Sequence, residues 1–425
     1  MGRLAGCEPG AAKAAEPNSL EQEKTIARYP EPKLPIRPIL SFASFTGKAD
    51  AGLPSVEDAG QCIRVTSGRI ATALGLQFAG IKSGDEVLLP AYYCSSMVDA
   101  IEAVSAVPVF YKCRADLSVD MNNVASRITE RTRALLAAHY FGFPQEMVGI
   151  REYCDEQGLV LIEDCAHAYF GHYRGNRLGA YGDFAITSEM KFFPVSDGGT
   201  LIFPQGKERQ ISLQSGGSGF EAKSVINDIE RSVGYGRLQP FNLLLKLPLL
   251  LKDWIWRSLK WLLRYFGEKS LSSNGNYFQS LGPDSSYGGY GFDKKWMHVR
   301  MSRFSQYLIG RLPRARIIEI RRRNFKRLLD ALSSCKNAQP FYASLPDGVV
   351  PYAFPLLISN VDEVFPVLKR EGIPILRWED IDQTACEVSS RYAKELLQLP
   401  CHQEITEKEL EWMISRIQSV LNSAQ

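Results

Sequence analysis

The sequence predicts an α/β fold, in which a large, mainly parallel sheet carries helices on both faces and a smaller α+β domain follows. Two patterns predict it. Continuous apolar runs, without the polar alternation of a half-exposed strand, are typical of strands buried on both faces. Helix-like segments separate these runs, as the crossovers between parallel strands require. In chain order, the predicted strands are Glu86–Pro90, Val107–Phe110, Ala134–Ala138, Leu159–Ile162, Phe184–Ile186 and Thr200–Phe203. The predicted helices lie near residues 69–80, 95–104, 120–130 and 146–157.

The remaining segments divide the rest of the chain. Residues 1–40 contain six prolines, which predicts a flexible N-terminal arm before a large domain at 41–203. Residues 204–297 form an extended insertion, with a loop at 214–219 and an amphipathic helix of Trp, Leu and basic residues at 240–266. The small C-terminal domain follows at 298–425. Its predicted elements are a long helix from Arg300, strands at Tyr352–Ile358 and Ile373–Trp378, and helices at Val361–Arg370 and Thr406–Leu421.

Composition narrows the classes of function. The chain has 425 residues, of which 45% are hydrophobic and 23% charged, so it has an ordinary globular composition and room for two or three domains. A net charge of +3 gives no electrostatic argument for binding nucleic acid. The nine cysteines form no CxxC pair, and the N-terminus carries no secretory apolar segment. We therefore expect a cytoplasmic protein.

Asp164 and Lys191 are the principal candidate site residues. Asp164 comes directly after a predicted buried strand, where a carboxylate needs a cationic partner. Lys191 follows the next strand and precedes the pair Gly198-Gly199. An acid and a lysine in this order suit a pyridoxal phosphate enzyme, in which the lysine attaches the cofactor and the acid keeps the pyridine nitrogen protonated. The alternatives are a helix N-cap for Asp164 and a surface location for Lys191.

A possible phosphate site lies at the predicted helix that begins after Ser67. The backbone N–H groups of Gly68, Arg69 and Ile70 would stand at its N-terminus, where anions bind, although an ordinary helix cap has the same sequence. Ser188, three residues before Lys191, is a second candidate phosphate donor.

Three aromatic side chains could face the ring of a cofactor. Tyr92 follows a strand and could stack on a planar ring, whereas its neighbour Tyr93 must point the other way. The alternative is that Tyr92 closes the edge of the core. His139 also follows a strand, where a structural role and a site role are both open. His167, three residues after Asp164, could reach a phenolic oxygen on the ring.

Several motifs, taken in order, resemble the DegT/DnrJ/EryC1/StrS family of sugar aminotransferases, which are pyridoxal phosphate enzymes of fold type I. The motifs that carry the resemblance are Ser83–Pro90, His139–Pro144, Ile162–His167, Gly179–Asp183, Lys191 with Asp197–Gly199, His298–Ser302 and Leu399–His402. The resemblance departs from the family pattern at Ser188-Glu189-Met190, which stands where Ser-Phe is usual, and at His298, which replaces an Asn.

The resemblance implies pyridoxal 5'-phosphate attached to Lys191, with Asp164 on the pyridine nitrogen and His167 near the phenolic oxygen. Ser188 and the amides of Gly68–Ile70 would bind the phosphate. It also implies a homodimer in which His298 and Arg300 serve the partner's site. The reaction that the resemblance implies moves an amino group from glutamate to a nucleotide-linked keto-sugar, in the biosynthesis of cell-surface polysaccharides or secondary metabolites.

Other functions stay open from the sequence. The protein could be a non-catalytic relative that keeps the fold for binding or regulation, although retention of both Lys191 and Asp164 speaks against it. It could also run a different pyridoxal phosphate reaction on a lipid-linked substrate. The helix at 240–266 would then lie on the inner face of a membrane; its alternative is packing on its own domain or on a dimer partner. We expect no metal site, because the His and Cys residues lack the spacing of ligands.

Overall fold

The computed structural model describes residues 29–47, 52–249, 251, 292–378, 381 and 386–423. Its largest sheet has seven strands in the order β1-β9-β8-β5-β4-β2-β3. The five strands from β8 to β3 run parallel, whereas β9 pairs antiparallel with both β8 and β1. The strands are β1 (Gly60–Val65), β2 (Glu86–Pro90), β3 (Val107–Tyr111), β4 (Thr132–Ala138), β5 (Val160–Asp164), β8 (Phe184–Ile186) and β9 (Gly199–Pro204). The short strands β6 (His172–Tyr173) and β7 (Asn176–Arg177) form a hairpin beside it. The predicted mainly parallel sheet is therefore confirmed.

Helices cover both faces of this sheet. They are α1 (Gly68–Phe78), α2 (Ser95–Ala103), α3 (Met121–Arg127) and α4 (Met147–Gln157). Alternate strand residues face opposite layers, because successive side chains of a strand point to opposite faces. Val87 and Leu89 pack into the core that contains α1 and α2, whereas Leu88 packs with the buried residues of α3 and α4. By the same alternation Ile162 faces the α1 side and Leu161 the α4 side, which places Asp164 on the α1 side.

The C-terminal part forms a smaller α+β layer. Its sheet has the order β10-β11-β12 and is antiparallel throughout. Its strands are β10 (Ala338–Pro340), β11 (Ala353–Ile358) and β12 (Leu396–Pro400). The helices are α6 (Arg303–Arg311), α7 (Arg314–Leu332), α8 (Val361–Arg370), α9 (Glu387–Glu395) and α10 (Glu407–Ser423). The single helix predicted from Arg300 is thus two helices, which the chain separates at Leu312 and Pro313.

The strand predicted at Ile373–Trp378 is wrong. Gly372 adopts a left-handed conformation with φ of 81°, and Pro374 has no N–H to give to a ladder. Only Leu376 pairs with a strand there, through a bridge to Gln398 of β12. The third strand of this sheet is Leu396–Pro400, a segment for which the sequence predicts no strand.

The insertion and the N-terminal segment also have defined structure where they are described. Helix α5 (Gly217–Gly234) begins inside the loop predicted at 214–219, and residues 242–249 are helical. Residues 252–266 of the predicted amphipathic helix lie outside the described residues, and no described helix is long and apolar enough to cross a membrane. Residues 29–47 pack against the body through buried Leu34 and through the Ser41 hydroxyl, which donates to Glu404 at 2.6 Å.

Candidate active site

A cavity opens at the carboxyl ends of β4, β5 and β8, beside the N-terminus of α1. Parallel strands bring their carboxyl ends to one edge of the sheet, so residues distant in sequence meet there. Asp164 ends β5, and Lys191 stands in a single 3-10 turn, Glu189–Lys191, that follows β8. Of the residues predicted for the site, those that line this cavity are Gly68, Arg69, His139, Asp164, His167, Ser188 and Lys191.

Asp164 and Lys191 influence each other's charge in this cavity. Burial raises the pKa of Asp164, while the nearby Lys191 ammonium and a 2.9 Å hydrogen bond from the Ala166 N–H oppose the rise. Burial likewise lowers the pKa of Lys191, an effect that the carboxylate of Asp164 opposes and Arg37 reinforces. A lysine with a lowered pKa has more of its amine in the neutral, nucleophilic form at neutral pH.

His167 lies flat against an aromatic side chain of the C-terminal part. Its ring stacks on Tyr352, with 4.3 Å between the ring centroids, and the Phe141 N–H approaches its Nδ1 at 3.5 Å. The Lys191 Nζ lies 5.6 Å from the centroid of the same Tyr352 ring. Burial, together with the charge of Lys191, lowers the pKa of His167 well below its ordinary value. The imidazole is therefore neutral at physiological pH and can hydrogen-bond to a ring oxygen without adding a charge.

The N-terminus of α1 closes one side of the cavity against the turn that precedes Lys191. A Cβ on Gly68 would lie 2.9 Å from the Thr187 carbonyl oxygen and 3.4 Å from the Ser188 Cβ, so only glycine permits this approach. The Ile70 N–H donates to the Ser67 side chain at 3.4 Å, and Ile70 does not line the cavity. Of the three predicted amide positions, Gly68 and Arg69 therefore border the cavity and Ile70 does not.

Tyr92 does not line the cavity. Its fully buried ring stacks on Trp378, with 4.7 Å between the centroids, and its carbonyl accepts from the Tyr140 hydroxyl at 2.5 Å. Its neighbour Tyr93 packs on Phe110 instead. The chain leaves β2 at Pro90, so the strand pattern could not tell which tyrosine would reach the site. Trp378 and Tyr140, both of which contact Tyr92, border the cavity instead.

His139 borders the cavity but is held by the protein itself. Its Nε2 lies 3.1 Å from Glu163, and its Nδ1 accepts from the Gln145 N–H at 3.0 Å. Burial alone would raise the pKa of Glu163, but hydrogen bonds from His139 and from the N–H groups of Gly179 and Tyr181 lower it. These contacts favour a structural role for His139, with Glu163 turned away from Asp164.

His298 and Arg300 lie outside the cavity of this chain. The His298 carbonyl accepts from the Gln214 N–H at 2.7 Å, and the Arg300 N–H donates to the Gln214 carbonyl at 2.9 Å. Arg300 also bridges Val65 at the edge of β1, and its buried Nε has no hydrogen-bond partner among the described residues. Within one chain these two residues are therefore separate from Asp164 and Lys191.

Four residues that sequence reasoning missed also belong to the site. Arg37, Cys94 and Trp378 line the cavity, and Tyr352 carries the stacked His167. Arg37 lies in the proline-rich N-terminal segment and Tyr352 directly before β11, so neither has a local pattern that would connect it with Lys191. Cys94 could have been found from its place just after β2.

The lining residues form a set that fits a phosphorylated pyridine aldehyde. A buried amine can take the aldehyde, and a buried carboxylate can face a ring nitrogen. A neutral imidazole and a serine hydroxyl lie beside them, and a helix N-terminus without a side chain at Gly68 leaves room for an anion.

Comparisons with known proteins show what the chain is similar to. The DegT/DnrJ/EryC1/StrS aminotransferase family model matches residues 53–237. Over 166 residues the chain is 38% identical to the dTDP-3-amino-3,4,6-trideoxy-alpha-D-glucose transaminase of Streptomyces venezuelae, covering 37% of this chain and 43% of that protein. Over 141 residues it is 33% identical to the GDP-perosamine synthase of Vibrio cholerae, covering 32% and 38%. The aligned part of the chain thus spans less than half the length of these curated relatives.

Solved structures match over a greater length. DesV of S. venezuelae, solved in complex with a ketimine intermediate, has a TM-score of 0.57 and 21% identity, covering 86% of this chain and 85% of that one. The sugar aminotransferase Spr1654 of Streptococcus pneumoniae, in its PLP form, has a TM-score of 0.59 and 16% identity, covering 92% and 99%. At these identities the matches show the fold alone, and they confirm the predicted fold type I. Residues 53–237 are thus similar to the DegT/DnrJ/EryC1/StrS aminotransferase family.

Proposed function

We propose that this protein is a pyridoxal phosphate-dependent aminotransferase that moves an amino group from glutamate to a nucleotide-linked keto-sugar. One observation carries the proposal: Lys191 and Asp164 line one cavity, where the pKa of the lysine is lowered. The aminotransferase family model that matches residues 53–237 supports this class of reaction. The names of the relatives, which refer to dTDP- and GDP-linked sugars, support the substrate class and a place in the biosynthesis of polysaccharides or secondary metabolites.

Each lining residue has a part in this reaction. When bound, pyridoxal phosphate supplies an electron-withdrawing ring that stabilises negative charge on the carbon beside the amino group. Lys191 would hold the cofactor and then carry a proton between the substrate carbon that bears the amino group and the C4′ carbon of the cofactor, as base and acid in turn. Asp164 would keep the ring nitrogen protonated, and neutral His167 would orient the ring. Ser188 and the N-terminus of α1, at Gly68 and Arg69, would bind the phosphate.

A spectroscopic measurement tests the proposal. The full-length protein is incubated with pyridoxal phosphate, and its visible absorption is recorded before and after addition of L-glutamate. We expect a yellow band that glutamate bleaches and that Lys191→Ala lacks. A yellow band that glutamate leaves unchanged would exclude glutamate as the donor. If the wild-type protein shows no band, the aminotransferase proposal fails and a non-catalytic binding protein takes its place.

We further propose that the active protein is a homodimer in which Arg300 acts in the partner's site. The separation of Arg300 from its own cavity and its unpartnered buried Nε support this arrangement. Mixing inactive Lys191→Ala and Arg300→Ala proteins under exchanging conditions should restore activity, because a mixed dimer holds one intact site. Activity that stays absent in the mixture, although subunits exchange, would contradict the shared site.

We also propose that the segment 240–266 contacts a membrane surface at the cytoplasmic face. In its described part, Leu243, Leu244 and Leu247 are each more than 60% exposed, and Phe241 contacts Phe42, which is also exposed. Exposed apolar side chains beside basic residues suit an anionic lipid surface. The protein should therefore co-sediment with vesicles that contain phosphatidylserine, and Leu243→Glu with Leu244→Glu should abolish this. Equal sedimentation of the double variant would refute the contact.

A further inference from the structure

Arg321 of α7 is a fully buried guanidinium that forms no ion pair among the described residues. Its two arginine neighbours in sequence differ from it. Arg322 donates to the carbonyls of a surface loop at Pro346–Val349, and Arg323 pairs with Glu407 at 2.7 Å. Burying a charge without a carboxylate is costly unless neutral acceptors replace its water. The groups that accept hydrogen bonds from Arg321 therefore indicate its structural role.

Arg321 donates to the backbone of the reacting lysine itself. Its Nη2 lies 2.7 Å from the Lys191 carbonyl oxygen, and its Nε lies 2.9 Å from the Gln403 side-chain oxygen. The other end of Gln403 donates to the Phe192 carbonyl at 2.8 Å, and the guanidinium lies 4.4 Å from the centre of the Phe192 ring. The C-terminal part thus binds two successive carbonyls, those of Lys191 and Phe192.

Arg321 also holds the residue that lies beneath the lysine amine. Its Nη1 donates to the carbonyls of Pro351 and Tyr352, each at 3.1 Å. The ring of Tyr352 stacks on His167 and lies 5.6 Å from the Lys191 Nζ. The Arg321 guanidinium therefore binds the backbone of two residues. One is Lys191, and the other is Tyr352, whose ring lies near the Lys191 amine.

We propose that Arg321 is a positioning residue, which binds the backbone of Lys191 and of Tyr352 so that the lysine amine stays inside the cavity beside Asp164. The role rests on the proposed function of Lys191, although the contacts are independent of it. A single 3-10 turn holds Lys191, and so short a turn leaves its last carbonyls without helical partners. Arg321 and Gln403 bind two of those carbonyls.

Arg321→Lys tests this role because it keeps the positive charge and removes the planar arrangement of N–H donors. A guanidinium presents a planar fork of donors that can reach four acceptors in different directions, whereas an ammonium has three donors at one point. Arg322→Lys is the matched control, since Arg322 lies on the same helix and also binds carbonyls but does not contact Lys191. Gln403→Met is a second variant, which retains Arg321 and loses the link to Phe192.

The measurement is the pKa of the Lys191 amine in cofactor-free, full-length protein. Limiting acetic anhydride is applied across a pH series, and peptide mass spectrometry reports how far Lys191 reacts at each pH. Burial lowers this pKa in the wild type. In Arg321→Lys the loosened amine gains water, so its pKa should rise by about one unit. Gln403→Met should shift it in the same direction, and Arg322→Lys should leave it unchanged.

The outcomes separate this inference from the proposed function. An unchanged Lys191 pKa in folded Arg321→Lys overturns the positioning role, and if that variant does not fold, an unchanged pKa in Gln403→Met does so. A shifted pKa supports the role even if the wild type shows no response to glutamate, in which case only the aminotransferase proposal fails. With an active wild type, Arg321→Lys should also lower kcat at least tenfold, with KM within about twofold.

Discussion

Glu189, two residues before Lys191, should make the stability of the protein depend on pH. Its carboxyl is fully buried, and one oxygen accepts from the hydroxyls of Thr187, at 2.6 Å, and Thr200. The other oxygen has no hydrogen-bond partner among the described residues. Burial raises the pKa of Glu189 from 4.5 to about 7, with the two hydroxyls opposing the shift and the charge of Glu57 adding to it.

The sign of this pH dependence follows from the state, folded or unfolded, in which Glu189 binds its proton more tightly. Between about pH 4.5 and about pH 7 the folded state keeps a proton on Glu189 that the unfolded state has lost, so stability falls as the pH rises. One unit of pKa shift corresponds to about 1.4 kcal/mol. From about pH 5 to about pH 8 the wild type should therefore lose about 2 to 3 kcal/mol through this group. Glu189→Gln stays neutral and should lose none of it.

Urea unfolding of the wild type and of Glu189→Gln at about pH 5 and about pH 8 measures this difference. The variant should gain about 2 to 3 kcal/mol on the wild type between the two pH values, and the exposed control Glu130→Gln should gain nothing. If the free-energy difference between wild type and Glu189→Gln is the same at both pH values, Glu189 does not titrate in this range and the reasoning is refuted.

Two further predictions concern the cavity itself. Asp164→Asn should slow amino transfer from glutamate by about two orders of magnitude, because a neutral amide cannot stabilise a protonated ring nitrogen. Stopped-flow absorption measures the rate of this transfer. A decrease of less than about threefold would contradict the role assigned to Asp164. Gly68→Ala should weaken binding of pyridoxal phosphate at least about tenfold, because its Cβ would meet the Thr187 carbonyl at 2.9 Å and displace the N-terminus of α1. Equilibrium dialysis measures this, with Gly310→Ala, whose Cβ meets nothing within 4 Å, as the control that should bind normally.

The sequence was sufficient to predict the site residues whose positions depend on the parallel strands. Asp164 ends β5 and Lys191 follows the neighbouring β8, so the edge of the sheet that they share could be predicted from the apolar runs alone. The direction of Tyr92 could not, because the chain had already left β2 and long-range packing on Trp378 decides where the ring lies. The contacts of Arg321 are also long-range, since they join α7 to a turn more than a hundred residues earlier.

The prediction of a flexible arm rested on proline content, which reports the local chain and not what it packs against. Residues 29–47 show the difference, because the Lys33 N–H donates to the Gly372 carbonyl at 2.9 Å and Arg37 reaches the cavity. Prolines there remove donors from a segment that forms no strand, but they do not prevent its apolar side chains from being buried.

The central claim is that Lys191 is the residue to which the cofactor attaches. The most direct measurement is borohydride reduction of the full-length protein with pyridoxal phosphate, followed by proteolysis and mass spectrometry of every lysine-containing peptide. We predict a stable phosphopyridoxyl group on Lys191, with no comparable modification at other lysines. Modification at another lysine, or none at Lys191 under saturating cofactor, would contradict the account.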